Sequence, residues 1–411
     1  MKLVGATAYV LRIPLVAGFD HHTCRRRHSD SVVLEVVDDE GYRGFGEGAP
    51  RPYVTGETSE TVVDHLRQAW PELASRPLPG AVGADLAALA GLVPEPVAGP
   101  DLVAASAARS ALELAVLDCW LRRHSLGAGA LCPPQRPVVV YSGVIGAGAP
   151  EAAGRLAGQM RLAGLHHVKV KVGDAHDVAR VAVVRQALGA EVLIRLDANG
   201  AWSHDQALRA LEAMAPSGIQ SVEQPLPRGD VAALARLRAA SPIPVVADES
   251  VVTEADAEAL ITAAAVDGFN VRISKCGGLH RSWRIAERAR AAGLFVQVGG
   301  HVGETAILAA AGRHLAAALD EVVAAEGSFG ELVLVEDVAR DPVRFGHGGA
   351  GGVLTGLGLG LELRRGVLER WAEQVVDLGR AGIDARRPLP PHFVCADGAP
   401  GTRSAQKGGR P

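Results

Sequence analysis

From Lys171 onward, a side chain able to act as acid, base or ligand recurs at a nearly fixed interval, each time at the end of a short apolar run. Lys171, Asp197, Glu223, Asp248 and Arg272 follow one another at spacings of 26, 26, 25 and 24 positions. The runs that carry them (HHVKVKV, EVLIRLDAN, IQSVEQP, IPVVADES, GFNVRISK) alternate with stretches rich in Ala, Arg and Leu. Strands alternating with helices mean βαβ units and a parallel sheet. In a TIM (β/α) barrel the C-terminal strand ends surround one mouth, so this period assembles one site from five strands. An open doubly wound sheet shares the period but does not bring five consecutive strand ends together.

The pattern begins with VVVYSGV near residue 137 and ends with LFVQVGG and the segment to about 330. Before it the grammar differs. Leu3–Ile13 alternates apolar and polar residues, SVVLEVVDDEGYRGFGEG reads as a hairpin, and residues 57–122 are mostly helical in pattern, closing on the Ala-rich AASAARSALELAVLDCWLRR. The fold expected is α/β: a modified TIM (β/α) barrel over 137–330 with an N-terminal α+β domain over 1–130, completed by about 331–380. The Pro- and Gly-rich end, 386–411, is expected to be disordered.

Composition narrows the partners. A net charge of −4 without a long basic stretch argues against nucleic acid, and no run reaches the length of a membrane span. Five scattered cysteines without ligand spacing, and an N-terminus that reads as a strand rather than a signal peptide, point to a reduced, cytoplasmic protein. Only five of the 42 basic residues are lysine, so a barrel lysine raises the question of what arginine could not do there.

Alternate strand residues share a face. Lys169 and Lys171 therefore point one way; so do Arg195, Asp197 and Asn199, Ser221 and Glu223, Val246 and Asp248, and Asn270 and Arg272. Asp197, Glu223 and Asp248 can converge, and such hard oxygen donors suit Mg²⁺ or Mn²⁺. A substrate carboxylate at a divalent cation has its α-proton acidified, because the developing enediolate is stabilised. A lysine near other cations has its pKa lowered towards neutrality and can take that proton; arginine stays protonated.

The strings VKVKVG, RLDANGAW, VEQPL, PVVADES and KCGG, in that order, resemble the barrel signatures of the muconate-lactonizing enzyme subgroup of the enolase superfamily, within the mandelate racemase/muconate lactonizing enzyme family. GEGAPRPYVTGET resembles the capping loop of the same subgroup. The resemblance implies a capping domain over a barrel, with Asp197, Glu223 and Asp248 as metal ligands. It implies Lys171 as base and Lys169 as its electrostatic neighbour. It also implies a small-molecule carboxylate substrate and assembly into a homo-oligomer. Asn199, Tyr53 of the capping loop and Arg25 of the basic loop His21–His28 are candidates to touch the substrate. The subgroup places a second lysine on the sixth strand, where this chain has Arg272; Lys275 lies three residues on. The seventh strand ends GGHVGET, with Glu304 as a candidate equivalent acid and His301 as a further acid, base or substrate contact.

Arginine on the sixth strand favours one-base isomerisation or elimination, as in a cycloisomerase or dehydratase. An epimerase or racemase would need Lys275 or His301 as second base. Two readings of other classes are a Schiff-base aldolase using Lys169 or Lys171, and a barrel kept only for binding.

Overall fold

Apolar alternation along Leu3–Leu11 makes the central strand of an antiparallel sheet. The computed structural model, which describes residues 1–21, 24–80, 84–95 and 103–380, orders that sheet Ala372–Arg380, Leu3–Leu11, Ser31–Asp38 and Arg43–Gly48. The last strand of the chain thus returns to pair with the first, Tyr9 opposite Val375. The tail expected to be disordered lies outside the described residues. In RGFGEG the alternate Gly44, Gly46 and Gly48 face the helix Ser106–Arg123. A Cβ at any of them would collide with the helix backbone around Ala107, Ala111 or Cys119. Small residues every second position on the strand and every fourth on the helix let the two backbones approach closely.

The helix Ser106–Arg123 has no cap from its own N-terminal residue. The fully buried Glu57 supplies one, accepting from Ala107 N at 3.0 Å and Ala108 N at 3.2 Å. A second buried carboxylate, Glu47, reaches across to the barrel. It accepts from Ser31 Oγ (2.6 Å), Thr305 N (2.9 Å), Thr305 Oγ1 (2.7 Å) and Leu308 N (3.1 Å), at the start of the helix Ala306–Ala318.

The barrel has eight parallel strands in sequential order: Gly143–Ile145, His167–Lys171, Leu193–Asp197, Ile219–Glu223, Val245–Ala247, Gly268–Val271, Phe295–Val298 and Ala324–Ala325. A parallel bridge between Tyr141 and Ala325 links the first strand region to the eighth. VVVYSGV is therefore not one barrel strand. Its first half, Val138–Val140, pairs antiparallel with Ala350–Gly352, and the chain enters the barrel only at Gly143. The barrel helices that begin at His204, Val231, Glu254 and Ala306 take side-chain caps from Ser203, Asp230, Thr253 and Thr305. Among the described residues no helix is long and apolar enough to cross a membrane.

Candidate active site

Register places the chemistry in a row. Lys171 on the second strand lies opposite Asp197 on the third, and Asp197 opposite Glu223 on the fourth. One step deeper, Lys169 lies opposite Arg195. Asp248 follows the fifth strand directly, and its turn is built by Gln224, whose Oε1 accepts from Asp248 N and Ser250 N, both at 3.0 Å. Asn199 and Gln224 hold left-handed backbone (φ 45° and 39°) just past the third and fourth strand ends respectively. Such strain in non-glycine residues concentrates at functional sites.

Asp197, Glu223 and Asp248 are buried and laced together by cations. Lys169 Nζ donates to Asp197 Oδ2 (3.2 Å), Glu223 Oε1 (2.9 Å) and Glu326 Oε2 (2.8 Å). Arg272 Nη2 donates to Glu223 Oε1 at 3.2 Å and, more closely, to Asp248 Oδ2. Lys171 Nζ donates to Asp197 Oδ2 at 2.7 Å and Asn199 Oδ1 at 2.6 Å. The lysine pair thus sits among carboxylates, with Arg195 beside Lys169. Burial opposes the Lys169 ammonium, yet Glu223, Glu326 and Asp197 hold its pKa above the usual lysine value. Burial also works against Asp197, but Lys171 and Lys169 keep its carboxyl well below the carboxylate range. Glu223 goes the other way: burial, with Asp197 and Asp248 nearby, pushes it up to about 8 against the pull of Lys169.

Among the described residues no group of three or more His, Cys, Asp or Glu side chains is drawn together as a ready-made metal cluster. The donor set nevertheless fits a divalent cation. All three are hard oxygen donors on successive strand ends, and each adjacent pair already shares one positive head, Lys169 between Asp197 and Glu223 and Arg272 between Glu223 and Asp248.

The other expected residues separate into those at the cavity and those away from it. Lys171, Asn199, Asp248, Arg272, Lys275, Tyr53 and His301 line one cavity. Lys275 does not point away as strand alternation predicts, because the chain leaves the strand at Val271 and turns through the short helix Ile273–Cys276. Its Nζ donates to Asp248 Oδ1 (2.9 Å), Asp248 O (2.7 Å) and Asn270 O (2.7 Å), which occupies all three ammonium hydrogens. His301 is buried, and burial followed by Arg51, Arg272, Lys275 and Arg26 holds its imidazole well below the usual histidine value. Glu304 is not in the cavity wall. The turn through Gly303 (φ 84°) folds its carboxylate back onto His301 N at 2.7 Å, where burial pushes it up to about 8. The Arg25 side chain lies outside the described side chains.

Several residues at the site carry no obvious sequence signal. Glu326 follows an eighth strand of two residues and binds Lys169 and Arg195. Gln297 links Arg195 to Glu223, beside Asn270, which strand alternation already places on this face and which donates to Glu223 at 2.8 Å. Glu249 turns inward beside Asp248 and accepts from Asn199 Nδ2 at 3.0 Å, while its other oxygen is buried with no hydrogen-bond partner among the described residues. Arg51 enters the cavity from the capping loop.

A family model described as "Enolase C-terminal domain-like" matches residues 152–367. The muconate cycloisomerase 1 of Rhodococcus opacus is 30% identical over 384 residues, covering 90% of this chain and 98% of that one. The hydrophobic dipeptide epimerase of Enterococcus faecalis is 30% identical over 300 residues, 72% of this chain and 82% of that one. The dipeptide epimerase of Cytophaga hutchinsonii, solved with Mg and the dipeptide D-Ala-L-Val, superposes with a TM-score of 0.80 at 26% identity, covering 92% of this chain and all of that one. A strand-end array of this kind, matched across the barrel and through most of the capping region, means that the chain belongs to the enolase superfamily, in its muconate-lactonizing branch, as an enzyme that removes a proton from carbon beside a carboxylate.

Proposed function

We propose that Lys171 is the base that takes the α-proton of a small carboxylate substrate, and that the product arises by one-base isomerisation or elimination. The observation that carries this reading is the pair of contacts at Lys171 Nζ, 2.7 Å from Asp197 and 2.6 Å from Asn199, which aim a lysine at the cavity from the second strand. Asp197, Glu223 and Asp248 would hold Mg²⁺ or Mn²⁺. A divalent cation bound there supplies positive charge for the substrate carboxylate as the α-carbon loses its proton.

The chain's own residues do the rest. Lys169, kept charged by three carboxylates, contributes a fixed positive field beside the row of acids. Arg272 bears charge on the opposite wall, and its guanidinium does not release a proton near neutrality. Lys169 is not free for Schiff-base chemistry, since its ammonium is buried and bound by Asp197, Glu223 and Glu326.

Epimerisation is the second reading. It is favoured by the epimerases among the relatives and by His301, a cavity imidazole held neutral by burial and neighbouring cations. The test is NMR in D₂O with Mg²⁺ across a carboxylate library, following α-proton exchange and product together. Exchange that persists in Lys171→Ala would place the base elsewhere.

A further inference from the structure

The strand that carries Lys171 runs on past one of its neighbours. The first barrel strand ends at Ile145, opposite Val170, so it has no residue paired with Lys171. On the other side Val172 N donates to Asp197 O at 3.0 Å. The carbonyl and amide of one peptide unit in a strand point opposite ways, so Lys171 O faces the gap beyond the first strand. A backbone carbonyl away from water needs a donor. Arg180, on the helix Asp177–Leu188 that follows the strand, supplies it: its Nη1 donates to Lys171 O at 3.1 Å.

Arg180 is fully buried, and its fork spans the gap. Nε donates to Gly148 O at 3.0 Å, on the chain just past the first strand. Nη1 also donates to Asp177 Oδ1 at 2.8 Å, and Nη2 to Asp174 Oδ2 at 2.5 Å. Asp177 in turn accepts from Gly173 N at 2.8 Å and Asp174 N at 3.1 Å, which closes the turn after Lys171 onto the same helix. Arg180, Asp174 and Asp177 stand outside the cavity wall that Lys171 lines. Arg180 therefore reaches the chemistry through the backbone of Lys171. A lysine amine hangs on a flexible four-carbon stem, so where it stands depends on how firmly its backbone is held.

We propose that Arg180 is a positioning residue for the base: it completes the ladder that the short first strand leaves open, and so sets where the Lys171 ammonium stands beside Asp197 and Asn199. The proposal rests on Lys171 as the proton acceptor. A lysine at position 180 could pair with the two aspartates, but its single ammonium could not also bridge Lys171 O and Gly148 O.

The experiment reads the amine itself and needs no substrate. The full chain in Mg²⁺ is labelled with trace acetic anhydride, and acetylation at each lysine is measured by mass spectrometry against the exposed Lys2. Arg180→Met should raise the relative rate at Lys171 by about tenfold, the effect of one charge-assisted hydrogen bond lost, and Arg180→Lys by less. Lys169 and Lys275, buried in the same barrel with partners other than Arg180, should keep their wild-type rates. For a carboxylate whose α-proton the wild type exchanges, Arg180→Met should slow exchange by about 10²-fold, as for a group misplaced by about 1 Å. Calorimetric Mg²⁺ affinity should stay the same. Wild-type acetylation at Lys171 in Arg180→Met overturns the proposal, and so does wild-type exchange in a variant whose Lys171 reacts faster. A rise shared by Lys169 and Lys275, or Mg²⁺ binding that weakens in step with exchange, would show that Arg180 only braces the barrel and also overturns it. If Arg180→Met does not fold, Arg180→Lys decides alone, and a wild-type rate at Lys171 in that variant overturns it. Exchange that persists in Lys171→Ala would bring down the reading of the base, whereas labelling reports the place of the amine whatever the reaction.

Discussion

The Lys171 ammonium donates to the amide oxygen of Asn199 at 2.6 Å, and the amide nitrogen of Asn199 donates to Glu249 at 3.0 Å. The amine is thus held by a residue in left-handed backbone that is itself anchored on the next strand but one. Replacing Lys171 with Arg or Ala should cut α-proton exchange by roughly 10²–10⁴-fold, the ordinary worth of a positioned general base. Asn199→Ala leaves the amine in place but unaimed, and about a 10²-fold loss in kcat with a smaller change in KM is expected. Exchange rates by NMR decide both. An Asn199→Ala variant with wild-type kcat would show that the amide does not orient the base.

Chelation should abolish exchange, and added Mg²⁺ or Mn²⁺ should restore it. Glu223→Gln should weaken metal binding while leaving the circular dichroism spectrum unchanged, since Asn270 and Lys169 can still donate to the oxygen of a neutral amide. Metal titration by calorimetry reads this directly. Undiminished exchange after exhaustive chelation contradicts the assignment of the three acids.

Arg272 is bound to both Glu223 and Asp248, so it competes for oxygens that the metal would use. Arg272→Met should therefore tighten divalent-metal binding. The same change should slow turnover by removing charge opposite the enediolate, an effect typically worth about 2.7–4 kcal/mol for one lost donor. Arg272→Lys supplies a group that can exchange protons. Deuterium uptake, fast for one stereoisomer in the wild type, should then spread towards both. Equal, rapid uptake from both stereoisomers in the wild type would reveal a second base already at work, with His301 the first residue to replace.

Glu57 gives a prediction about stability. Burial raises its pKa from 4.5 to about 6, more than its hydrogen bonds from Ala107, Thr55 and Ala108 lower it. The folded state therefore holds the proton more tightly than the unfolded state. The group's contribution is fully present below about 4.5 and is lost as pH rises to about 6, then stays constant. The loss amounts to about 2 kcal/mol at 1.36 kcal/mol per unit. Denaturant unfolding of wild type and Glu57→Gln across this range should show their difference falling with rising pH and level above about 6. A difference independent of pH would mean that the carboxyl titrates normally in the folded chain.

What sequence reveals here depends on how regular the local backbone is. Lys171, Asp197 and Glu223 end genuine strands, so a period of two and a repeat near 25 suffice to bring them together. Glu249 and Lys275 lie just beyond strand ends, where the chain turns and alternation stops applying. Alternation would send Glu249 outward from the face of Asp248, yet it turns in. Glu326 follows a strand too short to show any pattern. Arg51 reaches the cavity only because the capping loop docks on the loop at Val302, a relationship between distant segments that no local periodicity encodes. Glu304 has the right residue type at a plausible distance along the chain, but a glycine turn directs it to the backbone of His301.

Glu47 has a consequence for exchanging parts between relatives. Its carboxylate belongs to a strand of the capping sheet, yet three of its four hydrogen bonds come from Thr305 and Leu308, where a barrel helix begins. A chimera that joins this barrel to another capping sheet would leave those donors facing a foreign residue. Residues 31, 47, 305 and 308 are best transplanted as a set, and a crossover that separates them cuts through a shared polar core rather than between two modules.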